Sequence, residues 1–422
     1  MAVRTQIVSC DVCNTKTLVK FQVGILNQYP VHYSCPECLT NIYGEIYINQ
    51  EEGGIEFKLN NATYEFEGEE EYILVLSGEF PSIKIIKSTE ETYRAALFSP
   101  FIRYSPHSEE EMNKYQILFN FLPEFIDYEW KLIERVAHLY FNGKDEYIEN
   151  EVNKLRESSK LTMGPFEKVS SVNKIITAVF RELSSKEPLI DSQMKSLPDK
   201  LDSISQKNST NFLELIDFYT REDLVKLQKE LFSLFNTFIN HYRYIVPVIY
   251  LEAIGRNIED IKFHEGLNNV SFERLDRLYQ NAYETLLQNS TLPLLLDNLI
   301  VRGSINSMNA SIKVRKKPVK NIQDFQSLTN GQKLTYLSDN NNVLSKIYQE
   351  ALDTKLRNPI GHNNYSYDSN SQLITFHSNY ENQGPKQLYL IEFAYKCFKS
   401  MKISLIVWDL SVLISKLIKE KD

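Results

Sequence analysis

Positive charge is scarce in this 422-residue chain: 47 Lys and Arg stand against 55 Asp and Glu, a formal net charge of −8 at pH 7. Nonspecific nucleic-acid binding needs many cations that displace counterions from phosphates, so the chain is not a general polyanion binder and any such site must be a local patch. Long apolar runs are missing as well. The most apolar stretch, residues 403–414, is interrupted by Ser404, Asp409 and Ser411 and falls short of the ~20 residues that span a bilayer. Nothing at the N-terminus resembles a signal peptide. The expectation is a soluble, cytoplasmic protein with no membrane partner. Glycine and proline are sparse at 14 each, which excludes fibrous and low-complexity classes, while 25 Tyr and 23 Phe supply bulk for packed cores. Of only five cysteines, four fall in two Cys-x-x-Cys pairs, a pattern of metal binding in a reducing compartment. Cys397 sits in an apolar helical pattern and reads as a buried small hydrophobe.

Cys10-Asp11-Val12-Cys13 and Cys35-Pro36-Glu37-Cys38 are separated by 21 residues. A hairpin of that length can bring two thiolate-bearing turns together around one tetrahedral zinc, and four thiolates leave the ion no open position for chemistry. Cys10, Cys13, Cys35 and Cys38 are therefore the expected ligands of a structural Zn2+. Residues 17–23 and 31–33 alternate as the two strands of a zinc ribbon. A redox pair would instead open a helix after a strand, which Pro36 and the strand pattern disfavour. His32 reads as a ribbon surface residue. The strand pattern continues through residues 42–48, 55–59, 64–66, 72–76 and 83–86 as a small antiparallel β module. Between Lys58 and Lys84 it carries Glu65, Glu67, Glu69, Glu70, Glu71 and Glu79 with no basic residue, which repels phosphate and fits a protein-contacting or plainly solvated face.

After Pro100 the apolar spacing becomes helical. Residues 115–142 read as one amphipathic helix or a pair interrupted at Pro123, and residues 184–211 as a boundary. Residues 212–252 read as a helix kinked at Pro247, and residues 273–299 as a further helix. The expected fold class is mostly α. Its parts are a zinc ribbon at 1–44, a β module at 45–98, a helical middle region at 99–200 and a helical domain at 201–422. Residues 301–323 contain Arg302, Lys313, Arg315, Lys316, Lys317 and Lys320 and no acid. Lys313, Arg315, Lys316, Lys317 and Lys320 are the candidate contacts to an RNA backbone, against the plain alternative of a solvated basic loop.

The Asn340-Asn341-Asn342 run can cap a helix whose Leu344, Ile347, Ala351 and Leu352 keep helical spacing down to Leu356. Arg357-Asn358-Pro359-Ile360-Gly361-His362 follows. Pro359 has no N–H and disfavours helical geometry at Asn358, so the helix is expected to stop or kink there. On a straight helix Asn358 and His362 share a face, whereas Arg357 and His362 diverge by about 140°. A kink or the reach of the arginine side chain is needed to unite all three. Such a set can cleave RNA without a metal. The ribose 2′-OH attacks the adjacent phosphate, His362 transfers a proton, and Arg357 neutralises the developing charge. One histidine supplies one proton-transfer group per chain, which favours a symmetric dimer with the motif at its interface. His107, His138, His241, His264 and His377 show no spacing of a metal or triad site.

The segment Arg357-Asn358 followed by Pro359-Ile360-Gly361-His362 resembles the R-x4-H motif of HEPN ribonucleases, including the polar residue directly after the arginine. Asn363-Asn364-Tyr365, with the short strand and apolar helix beyond, resembles the end of Apea-like HEPN domains. The resemblance implies an all-α, dimeric domain that cleaves RNA without a metal and serves as a bacterial toxin or antiphage (abortive-infection) effector. Carried over, Arg357 and His362 would be catalytic, Asn358 would orient the phosphate, and Tyr365 would be structural. The implied partners are RNA, a second copy of the chain, and an antitoxin or partner protein for the ribbon. Pro359 departs from the smoother helical versions of the motif. The alternative is a catalytically inactive HEPN-like zinc-ribbon adaptor that dimerises and binds a partner protein or nucleic acid, its Arg357 and His362 complementing a helix dipole.

Overall fold

The computed structural model describes residues 2–24, 26–49, 54–96, 98–155, 167–184, 188–207, 209–340, 342–377 and 384–421. It is mostly helical, with a small β region at the N-terminus. Two compact units form. The first comprises Met1–Phe125, Asn240–Leu278 and Lys355–Phe398, and the second Ile126–Ile239, Tyr279–Thr354 and Lys399–Asp422. No described helix is long and apolar enough to cross a membrane.

Nine strands open the first unit: β1 (Ala2–Cys10), β2 (Lys16–Val23), β3 (Gln28–Ser34), β4 (Asn41–Asn49), β5 (Gly54–Asn60), β6 (Ala62–Glu65), β7 (Tyr72–Leu76), β8 (Ser82–Ile83) and β9 (Ile86–Lys87). They make a five-stranded sheet in the order β6-β1-β2-β7-β9 and a three-stranded antiparallel sheet β3-β4-β5. Alternation drives both: Tyr29, Val31 and Tyr33 on β3 and Ile42 and Ile46 on β4 turn inward against Val19, Phe21, Leu74 and Leu76. Two expectations are corrected. Residues 17–23 and 31–33 do not pair with each other, because each lies in a separate hairpin, β1–β2 and β3–β4. The module is not wholly antiparallel: β7 joins β2 in parallel, Thr17 opposite Tyr72, since the long excursion through β3–β6 lets the chain return in the same direction.

Residues 265–269 tie this β region to the rest of the first unit. Glu265–Gly266 pairs with β8, and the Asn268 amide donates to Ser82 Oγ (3.0 Å) and to the Val75 and Ile83 carbonyls. Gln372 meets the same segment from the other side. Its Nε2 donates to the Leu267 carbonyl and to Asn268 Oδ1, both at 2.9 Å, while its Oε1 accepts from the Leu267 N–H. Gly266 is required there, since a Cβ would lie 2.1 Å from Gln372 Oε1.

The expected helix at 115–142 is present but widened around Pro123. The ring clashes with the carbonyl four residues back and removes a donor, so the ladder slips by one residue and the Leu122 N–H bonds the Ile117 carbonyl. The expected boundary at 184–211 is instead largely helical, Pro188–Lys207 and the start of Ser209–Phe218, with residues 185–187 and 208 outside the described residues. Leu197 and Leu201, one turn apart and buried, supply an apolar stripe that outweighs the polar composition. Arg221–Ala253 runs through Pro247 as one element. The expected 273–299 helix is two, Phe272–Gln288 and Thr291–Arg302, and the Asn289 side chain bonds back to the Thr285 carbonyl at the break.

The cap expected from the asparagine run comes from elsewhere in the second unit. Asn341 lies outside the described residues, and Asn342 makes no side-chain cap to Val343–Ala351. The buried Asp297 carboxylate accepts from the Leu344 N–H (3.3 Å), the Ser345 N–H (2.7 Å) and the Ser345 hydroxyl (2.6 Å). Burial nevertheless pushes Asp297 up to about 6, the hydrogen bonds from Ser345 only partly offsetting it. A carboxyl raised on folding from its ordinary value of 3.8 contributes stability fully present below that value and lost as pH rises through about 6. We expect Asp297→Asn to remove this dependence. In urea titrations across that window the wild type should lose ~3 kcal/mol relative to the variant, and parallel pH profiles would refute the assignment.

Candidate functional site

The two cysteine pairs adopt one repeated local structure. In Cys10–Thr15 and Cys35–Thr40 alike, the first cysteine N–H donates to the threonine carbonyl (3.1 and 2.8 Å) and its own carbonyl accepts from the fifth residue's N–H (2.9 and 3.0 Å). That fifth residue, Asn14 or Leu39, is left-handed with φ of 60° in both. The knuckles sit at the turns of the β1–β2 and β3–β4 hairpins, and the four sulfurs lie within 4.8 Å of one another. Cys10 and Cys38 sulfurs are 3.6 Å apart and those of Cys13 and Cys35 3.4 Å. A tetrahedral ion bound at Zn–S distances spaces its sulfurs by roughly 3.8 Å, so the donor set fits such a metal ion. Threonine hydroxyls support it symmetrically, Thr15 3.1 Å from Cys13 Sγ and Thr40 3.2 Å from Cys38 Sγ. The Thr40 hydrogen bond pulls Cys38 down to about 6 while burial pushes Cys35 up to about 12.

The helix Thr354–Gly361 carries the arginine motif through Pro359 without stopping, which corrects the expected break. The break lies upstream, where Leu352 turns extended (φ −94°, ψ 142°) after Val343–Ala351. Pro359 is the sixth residue of this helix, so the bond it forfeits is the one to the Lys355 carbonyl, and the helix closes two residues later. Closure comes after Gly361: the Asn364 N–H bonds the Pro359 carbonyl (2.8 Å), the Asn363 N–H bonds the Ile360 carbonyl (3.1 Å), and Asn363 is left-handed (φ 53°). This is the Schellman arrangement, and it holds His362 at the last position before the chain reverses.

Arg357 folds back along its own helix. A Cβ on Gly361 would stand 3.0 Å from Arg357 Nη1 and 3.5 Å from Cζ, so the guanidinium lies over the residue preceding His362. The reach of the side chain brings the cation to that end of the helix. Asn358 and His362 are exposed and Arg357 is half-buried. Beyond the motif, Tyr365–Asp368 pairs with Leu373–Phe376, and the Tyr365 ring packs edge-on against Phe272 at 4.9 Å. Sequence reasoning set His377 aside, yet the hairpin register sets it against Asn364. The His377 N–H donates to the Asn364 carbonyl (3.0 Å), the Asn364 side chain donates to the His377 carbonyl (3.2 Å), and Nε2 lies 3.3 Å from Ser366 Oγ. The short strand expected beyond Tyr365 is the available signal, because its pairing with the chain after the motif dictates the register.

Lys313, Arg315, Lys316, Lys317 and Lys320 are all exposed, on a short hairpin anchored by buried Ile312, Val314 and Val319. Arg315 and Lys316 form its two-residue turn and are both left-handed, φ 50° and 67°. This hairpin belongs to the second unit and the arginine motif to the first. Arg302 is not part of the exposed set: it bonds Asn298 and Asn340.

Leu39 is exposed, so its left-handed backbone is not compensated by side-chain burial. Leu39→Asn is expected to keep the knuckle and raise the stability of the metal-loaded chain by about 1 kcal/mol in denaturant titrations. A loss of stability or of bound metal would contradict this account of the turn. No family model, no curated protein and no solved structure matches this chain.

Proposed function

We propose that the chain is a metal-independent endoribonuclease of HEPN type whose N-terminal cysteine site holds a structural zinc ion. The observation that carries the reading is the guanidinium of Arg357 lying over Gly361, beside the exposed His362 and on the same helix end as Asn358. In the proposed reaction the ribose 2′-oxygen attacks phosphorus and its proton passes to an imidazole. The P–O5′ bond breaks, and the 5′-oxygen takes a proton from a second acid. The products are a 2′,3′-cyclic phosphate and a 5′-hydroxyl, and no atom comes from water. Arg357 offsets charge on the phosphorane, and Asn358 hydrogen-bonds a phosphate oxygen. His377, paired with Asn364, offers a second imidazole within the chain, while a symmetric dimer offers a second His362.

A second reading is favoured by the location of the pair. The Arg357 guanidinium and His362 both lie at a helix C-terminus, where cations complement the dipole with no chemistry involved, as in a non-catalytic adaptor. The two separate on one experiment with purified chain and single-stranded RNA. The enzyme reading expects His362→Ala to lower cleavage by ~10²–10⁴-fold and Gly361→Ala, which displaces the guanidinium, by about tenfold, with folding retained. His377→Ala should match His362→Ala if the second proton group is internal and should be silent if it comes from a second copy. Intact RNA with wild type, or equal cleavage by His362→Ala, would leave the adaptor reading. For the metal, elemental analysis should give one zinc per chain, and Cys35→Ser should lose it. Iron or no metal in the wild type would sink the zinc assignment.

A further inference from the structure

We propose that the outer face of the β3-β4-β5 sheet, where residues 269–274 stand over it, is a docking cleft for one nucleotide of a single-stranded RNA, which stacks its base on the sheet's tyrosines. The cleft has a volume of about 400 Å3. Its floor follows from strand alternation: with Ile42 and Ile46 facing the core, Tyr43, Glu45 and Tyr47 of β4 share the opposite face. The register sets His32 and Asn60 beside Tyr43 and Lys58 beside Glu45. Gly44 lets β4 and β5 approach at this point, because it has φ 154° and a Cβ there would stand 2.0 Å from the Lys58 carbonyl.

Three observations select a nucleotide. First, the cleft gathers Tyr43, Tyr47 and Tyr244, and two of these rings carry cations: Lys58 Nζ is 4.8 Å from the Tyr47 centroid and the Arg274 guanidinium 4.5 Å from that of Tyr244. Aromatic rings and guanidinium planes are the surfaces on which unpaired bases stack, and the same cations can meet the phosphate. Second, Asn269 is 2% exposed and lines the cleft, and its Nδ2 donates to the Arg243 carbonyl at 2.9 Å. That bond fixes Oδ1 as the acceptor, and Oδ1 has no partner among the described residues. The occupant must therefore bring an N–H or O–H, as a base amino group or a ribose hydroxyl does and a bare anion or an aliphatic chain does not. Third, Lys58 and Arg274 are matched by Glu45 and by Glu56, which pairs with Lys58 at 3.1 Å, so the cleft carries no charge excess for binding by counterion release and selects its occupant by stacking and hydrogen bonding. Burial lowers the His32 pKa, so its ring enters as a neutral hydrogen-bonding group. The acidic run from Glu65 to Glu79 begins on β6, outside this sheet.

This site adds a place that holds substrate to the ribonuclease reading and is tested apart from it. The probe is a fluorescently labelled single-stranded oligoribonucleotide of eight adenosines, titrated into full-length, zinc-loaded His362→Ala protein so that cleavage does not intervene. Tyr43→Ala and Arg274→Ala in that background should each weaken binding roughly fivefold to hundredfold. Tyr43→Phe should not, and the logarithmic salt slope should stay shallower than about −2. Unchanged melting temperatures, expected since Tyr43 and Arg274 are exposed, keep the comparison valid. Equal affinity of Tyr43→Ala, Arg274→Ala and their parent, or no binding of the oligonucleotide by the parent, overturns the site. Neither result touches RNA cleavage by the wild type, while binding by the His362→Ala parent together with intact RNA after incubation with the wild type supports the site and removes the ribonuclease reading.

Discussion

The first unit depends on two buried side-chain amides, Asn268 and Gln372. Between them they place hydrogen bonds on β7, β8, the extended segment after Gly266 and the chain entering the Leu373–Phe376 strand. The Asn268 carbonyl also accepts from the His32 N–H of β3 at 2.9 Å. Both residues are almost fully buried, so removing either strands several donors and acceptors away from water, at about 1–3 kcal/mol for each group left unpaired. The geometry is directional, which hydrophobic packing is not. It fixes the hairpin carrying His377 and the chain around the cysteine site to one set of coordinates within the unit, and Gly266 is the opening that lets the Gln372 amide in.

What could be read in the sequence followed how local the determining physics was. The cysteine knuckles were fully legible, because the ligand spacing and the turn chemistry both lie within six residues. β3 to β7 were legible from alternation. β1 was not expected, although Val8 and Cys10 turn inward, since its pairing is settled by β2 and β6 rather than by its own pattern. The parallel β2–β7 pair and the Asp297 cap join residues far apart in the chain, and no local rule reaches them. At Pro359 the local rule allowed a stop or a kink, and the helix does not stop there: it carries the proline and closes after Gly361. Among the candidate site residues, Arg357, Asn358 and His362 were named from the motif, while His377, Asn269 and the tyrosine face of β4 needed the hairpin register and the tertiary fold to come into view.

Local rules are also broken where the exposed basic and thiolate groups sit. Leu39, Arg315 and Lys316 occupy the left-handed region with side chains that gain nothing there, at about 1–2 kcal/mol per residue. Leu39 closes a cysteine knuckle, and the other two form the tip of the basic hairpin, where Asn-Gly would be the relaxed choice. A two-residue turn of Arg and Lys holds both cations outward on a rigid stem anchored by Ile312, Val314 and Val319. A longer flexible loop would present the same charge without strain but also without fixed spacing.

Charge economy links these features to the arginine motif. In a chain of net charge −8, an anionic substrate is repelled at long range and must be drawn in by a few placed groups, with screening beyond about 8 Å at physiological ionic strength. On the ribonuclease reading proposed above, the motif would supply one such group. Arg357 is held over Gly361 by its own helix, and the C-terminal carbonyls of that helix add a partial negative charge that favours a cation there. On the proposed ribonuclease reading, a phosphate approaching His362 meets a guanidinium already positioned before binding, so little ordering remains to oppose it. The glycine leaves that placement undisturbed: a Cβ at 361 would stand 3.0 Å from Arg357 Nη1, so the guanidinium would have to give way by a few tenths of an ångström from its place over the residue before the imidazole.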